Sequence, residues 1–94
     1  MSRPRVMVVA READAAQDIA NRLEGLGYVV PAIASSGEDA VKRAEAARPD
    51  LVLMDVGLAG GMKALEAAVT IRRRLSVPVV YVGAHSDDDA LRWA

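Results

Sequence analysis

Residues 51 to 61 read LVLMDVGLAGG: four apolar residues, one aspartate, then a glycine-rich turn. A carboxylate directly behind such a run is unusual, and more than one kind of chemistry suits it. Asp55 can brace the turn, because Asp side chains readily accept hydrogen bonds from nearby backbone amides. It can attack phosphorus as a nucleophile, since carboxylates form acyl-phosphate intermediates. It can also bind Mg²⁺ alongside substrate phosphates. Other residue types with reactive potential read more plainly. His85 is the single histidine and lacks the companions that metal ligation requires. The glycines of GLAGG form no Walker-type loop, because no Gly-Lys-Ser/Thr follows them. Arg72, Arg73 and Arg74 lie near the end of a helical pattern, where cations suit the helix dipole. They read as a solvated face before they read as a docking site for a kinase or nucleic acid. Trp93 suits the filling of a core or an interface.

The elements that must hold Asp55 follow from the apolar pattern. VMVVA (6–10), YVVPAIA (28–34), LVLM (51–54) and VPVVYV (77–82) are short, rich in β-branched residues and largely without polar alternation. Runs like these suit strands covered on both faces, as in a parallel sheet. Helical patterns lie between them. From Ala16, the residues Ile19, Ala20, Leu23 and Leu26 mark one helix face, with Gly25 or Gly27 available to end it. SSGEDAVKRAEAA opens a second helix, with Ser36 as N-cap, Asp39 three residues on, and Pro49 as a stop. A third covers about 63–75, with Leu65, Ala68, Val69, Ile71 and Arg72 bracketing its buried and exposed sides. A fourth starts in HSDDDALRWA, where Ser86 caps and Asp87, Asp88 and Asp89 occupy the first turn.

Strand and helix alternate throughout, and crossover handedness then demands a parallel sheet with helices on both faces. Pro31 cannot donate to a ladder, which points to the second strand lying at an edge. In such sheets the functional crevice lies outside the carboxyl ends of the strands, where strand order reverses. Asp55 ends the third strand and so reaches that crevice.

Bulk properties narrow the function classes. Ninety-four residues make one small domain, burying roughly 60 to 70% of its unfolded surface. With 52% hydrophobic and 27% charged residues, the chain is too apolar for disorder. A net charge of −1 from intermingled signs gives no footprint for nucleic acid or a membrane surface. The absence of cysteine rules out disulfides and thiolate metal sites. No run approaches membrane-spanning length, and the apolar stretch near the start is too short for a secretory signal. A cytoplasmic location is the default expectation.

Two blocks then carry a family resemblance across nearly the whole chain. The stretch RPDLVLMDVGLAGGMKALEAAVTIRRRLSVPVVYVGAHSDDDALRWA resembles the receiver domain of two-component response regulators, and so does IANRLEGLGYVV with ASSGEDAVKRAEAARPDLVLMD. The strand–Asp–turn block, the GEDAV helix start and the VPVVYV strand fall in the family's order and spacing. The resemblance implies the flavodoxin-like doubly wound α/β fold. Its strand order here would be 2-1-3-4, with the fifth strand and helix missing and residues 1–94 forming one domain incomplete at its C-terminus. It implies a domain that is not an enzyme, in which Asp55 is the phosphoacceptor. A histidine kinase or phosphotransfer protein would supply the phosphoryl group, and an output domain or effector protein would read it.

The family's other site positions are partly changed. The resemblance puts two adjacent acidic residues after the first strand, and those places hold Ala10 and Arg11, with Glu12 the acid left nearby. Gly57 is placed to give the loop carbonyl. A weak Mg²⁺ site would then consist of Glu12, Asp55 and Gly57. The hydroxyl residue that normally ends the fourth strand is Gly83, the proline after the phosphoacceptor is Ala59, and the lysine of a fifth strand has no counterpart. Arg11 either puts a guanidinium beside Asp55, as a fixed cation where the metal normally sits, or points into solvent. These departures keep a second reading open, a pseudo-receiver that binds proteins without phosphorylation. A small α/β enzyme or nucleotide-binding domain is a third and weaker one, because no phosphate-binding glycine motif follows the first strand. Without a fifth strand, VVYV (79–82) becomes an apolar edge, and self-association through the fourth strand and helix is expected.

Overall fold

The computed structural model describes residues 3–55 and 64–82. In chain order these form β1 (Val6–Val9), α1 (Ala13–Gly25), β2 (Ile33–Ala34), α2 (Gly37–Ala47), β3 (Leu51–Asp55), α3 (Ala64–Leu75) and β4 (Val79–Val82). The expected fourth helix, and the positions of Gly57, Ala59, Gly83, His85 and Trp93, lie outside the described residues.

The four strands form one parallel sheet in the order β2-β1-β3-β4. This is the α/β architecture expected from the alternating pattern and the strand order that the resemblance implied, with β2 at an edge. β1 is buried along its whole length, as a central strand covered on both faces must be. Its alternate residues feed two cores. Met7 and Val9 join Val52 and Met54 from β3 under α2 and α3, while Val8 and Ala10 pack with Ala16 and Ala20 of α1. The helix faces on the larger core are mostly alanine: Ala40 and Ala44 of α2, Ala67 and Ala68 of α3. Small residues there let the helices lie close to the sheet and leave the volume to Met7, Met54 and Ile71, all fully buried. Burial of each such side chain contributes about 1.5 to 3 kcal/mol.

Local signals explain most boundaries. Ser36 caps α2, its Oγ accepting from the Asp39 N–H at 3.1 Å. The helix ends at Arg48, which takes a left-handed conformation (φ 50) just before Pro49. The chain then enters β3 through Asp50, whose Oδ2 accepts from the Arg5 N–H at 2.8 Å. The Arg5 guanidinium donates to the Ala47 carbonyl at 2.6 Å. These two bonds tie the end of α2 to the start of β1 and so fix where β3 begins beside β1.

Three expectations are corrected. The second strand shrinks from 28–34 to Ile33–Ala34, preceded by an isolated Arg5–Val29 bridge. The stretch still runs along β1, since Val6, Val8 and Ala10 donate to the carbonyls of Val29, Ala32 and Ala34. Pro31 has no N–H to complete the ladder between them. Leu26 is not on the buried face of α1: the helix stops at Gly25, Gly27 turns at φ 99, and Leu26 is 75% exposed. Finally, β3 and β4 are not covered equally on both faces. Val52 and Met54 are buried while Leu51, Leu53 and Asp55 are only half-buried, and Val80 of β4 is exposed.

Candidate functional site

Asp55 is the last residue of β3 and pairs with Val82 of β4. On its other side the register runs Val6–Leu51, Met7–Val52, Val8–Leu53 and Val9–Met54. One further step along this parallel ladder sets Ala10 alongside Asp55. Side chains alternate across a sheet. Met54 faces the α2–α3 core, so Asp55 projects on the α1 side, the side to which Ala10 also belongs. The carboxylate is thus held at a strand end, half-buried, next to a buried methyl group.

The residues after Ala10 are rigidly placed. The Ala10 N–H donates to the Ala34 carbonyl at 3.0 Å, so the end of β1 is tied to β2. Glu12 is the N-cap residue of α1, with extended backbone and no capping bond from its side chain. Its carbonyl accepts from the Ala16 N–H at 3.0 Å. Arg11 lies between these two anchors and is exposed. The described ion pairs join Arg22 to Asp18, Arg43 to Asp39 and Arg74 to Glu45, and Arg11 belongs to none of them.

Of the residues expected at the site, the fold brings Ala10 beside Asp55, with Arg11 and Glu12 on the segment that follows. Gly57 and Gly83 fall outside the described residues. The arginine run on α3 is exposed at all three positions, and Arg74 reaches Glu45 of α2 at 3.6 Å, a surface tie between helices. The Arg5–Asp50 brace gave no signal in the sequence, because its partners are 45 residues apart.

Chemically, the site offers a half-buried carboxylate held at the carboxyl end of an inner strand. Among the described residues no group of three or more His, Cys, Asp or Glu side chains is arranged to hold a metal. Ala10 offers no donor atom, and Arg11 adds a positive charge where a second ligand would be needed.

The chain matches the model of the response regulator receiver domain over residues 6–94, and it belongs to that family. It is 34% identical over 83 residues to the phyllosphere-induced regulator PhyR of Methylorubrum extorquens, covering 87% of this chain and 31% of that protein. It is 34% identical over 90 residues to the transcriptional regulatory protein PdtaR of Mycobacterium tuberculosis, covering 96% of this chain and 43% of that protein. The chain thus spans less than half the length of these relatives. Among solved structures, the receiver domain of a modulated diguanylate cyclase from Desulfovibrio desulfuricans superposes with a TM-score of 0.83 at 30% identity, covering 95% of this chain and 71% of that one. The anti-anti-sigma factor PhyR of Bartonella quintana gives 0.76 at 30% identity, covering 86% and 33%. Receiver domains generally bind Mg²⁺ at the phosphorylation site. The residues here do not suit a tight site of that kind, because the position beside Asp55 is a methyl group and the next is a cation.

Proposed function

We propose that this receiver domain accepts a phosphoryl group on Asp55 from a histidine kinase or phosphotransfer protein and passes the resulting change to an output domain or effector. The observation that carries this reading is the place of Asp55: the carboxyl end of an inner strand, on the α1 face of the sheet that Ala10 shares. A strand end holds the nucleophile for in-line attack, and phosphoryl transfer depends mostly on such positioning and on charge stabilisation. One Asp55 oxygen forms the new bond to phosphorus as the phosphorus–nitrogen bond to the donor imidazole breaks. The imidazole, protonated on its other nitrogen, leaves neutral. The domain is the recipient of this chemistry, a cytoplasmic switch and not an enzyme. Any Mg²⁺ would rest on the Glu12 and Asp55 carboxylates and the Gly57 carbonyl, a weak set, since Mg²⁺ demands well-placed octahedral ligands.

A second reading, a pseudo-receiver that binds its partner without phosphorylation, is favoured by one specific observation: Ala10 and Arg11 occupy the places next to Asp55 where acids would assist. Incubation with phosphoramidate separates the two. The phosphoacceptor reading expects slow, acid-stable and base-labile labelling of the wild-type chain and none of Asp55→Asn. Wild-type protein that stays unlabelled while still binding its effector supports the pseudo-receiver.

A further inference from the structure

Among the described residues Arg11 is exposed and joins none of the ion pairs, and it is the first position past the buried Ala10 from which a side chain could act on the Asp55 carboxylate. Ala10 is fixed by burial and by its bond to Ala34, and Glu12 is fixed as the head of α1. The Cα of Arg11 is therefore held one residue beyond the point where β1 stands beside Asp55. Neighbouring strands lie about 4.8 Å apart, a gap that an arginine side chain spans readily. Its guanidinium, always charged and forked, matches the paired oxygens of a phosphoryl group. A compact divalent cation needs a cage of oxygen ligands, whereas a guanidinium needs only reach. The buried methyl of Ala10 and the charge of Arg11 disfavour the first device and supply the second.

We propose that Arg11 serves as the phosphoryl-binding cation of this site, so that modification of Asp55 proceeds without a divalent metal. The inference rests on the assignment of Asp55 as phosphoacceptor. With acetyl phosphate as donor, an Asp55 oxygen bonds to phosphorus while the phosphorus–oxygen bond to the acetyl group breaks. Acetate leaves with the electron pair, and no proton changes hands. The Arg11 guanidinium stabilises the charge on the equatorial oxygens as they pass between donor and acceptor.

The test measures acetyl phosphate labelling of five chains, each in excess EDTA and in Mg²⁺: wild type, Arg11→Ala, Arg11→Lys, Asp55→Asn, and the double variant Ala10→Asp/Arg11→Asp. Position 11 is exposed, so its substitution leaves the core alone. The wild-type rate is expected to be the same in both media. Arg11→Ala loses roughly tenfold to a hundredfold in both, less than the loss of a buried donor because position 11 is exposed to water. Arg11→Lys keeps part of the rate, and the double variant labels only with Mg²⁺. Wild-type labelling that stops in EDTA, or an Arg11→Ala chain that labels as fast as wild type, overturns the inference while leaving Asp55 as acceptor. If no chain labels in either medium, the double variant included, the assignment of Asp55 falls and the inference falls with it.

Discussion

At the scale of single residues, the site is defined by one carboxylate, by Ala10, which the register sets beside it, and by Arg11 on the segment that follows. Ala10 and Arg11 set its relation to metal. Mg²⁺ affinity follows ligand count and geometry. Ala10→Asp/Arg11→Asp is therefore expected to bind Mg²⁺ measurably tighter than the wild-type chain, as followed by amide shift changes during a titration. Tight binding by the unsubstituted chain, with no gain in the double variant, would contradict this. The place of Asp55 at the end of β3 was legible because a charge behind an apolar run stands out, and the resemblance to the family supplied the role proposed for it. The missing partners were legible too, since Ala10 and Arg11 can be counted directly from the strand. What the sequence could not reveal was that Ala10 shares a sheet face with Asp55, which depends on the register of β1 against β3.

At the scale of elements, the helix cap and the strand order were anticipated, whereas the extent of β2, the end of α1 and one side-chain brace were not. The Ser36 cap was written in its neighbours, and the bond to Asp39 matches it. Ser36→Ala is expected to cost about 1 kcal/mol of stability, read as a lower urea midpoint with an unchanged slope. An unchanged midpoint would mean that the cap adds nothing in this context. The alanine faces of α2 and α3 set a different constraint. Ala67 is fully buried against the sheet, so Ala67→Leu is expected to destabilise by about 1 to 3 kcal/mol through overpacking. The extent of β2 and the exposure of Leu26 escaped the sequence for identifiable reasons. Pro31 splits a ladder whose carbonyls still accept from β1, and Gly25 ends α1 one residue before the apolar pattern does. The Arg5–Asp50 brace joins residues far apart in sequence, and no local pattern encodes it.

At the scale of the whole molecule, the sheet has one side well covered by α2 and α3 and the other covered by α1. Among the described residues β4 pairs only with β3, and Val80 is exposed on it. An unpaired strand edge is a template for a second chain, and among the described residues no strand pairs with the outer edge of β4. Self-association of this 94-residue chain through β4 is accordingly expected, visible as a rise in apparent mass across a concentration series in light scattering. A concentration-independent monomer would show that this edge is already protected. Over the described residues no helix is long and apolar enough to cross a membrane.

The most direct test of the central claim, that Asp55 is the phosphoacceptor, is to locate the modified atom. After reaction with phosphoramidate, borohydride reduces an aspartyl phosphate to a stable alcohol, and trypsin releases the peptide spanning residues 44–63. Tandem mass spectrometry of that peptide distinguishes Asp55 from Asp50 and Glu45. The expected result is reduction at Asp55 alone, and its loss in Asp55→Asn. Reduction at Asp50, or labelling that persists in Asp55→Asn, would contradict the claim.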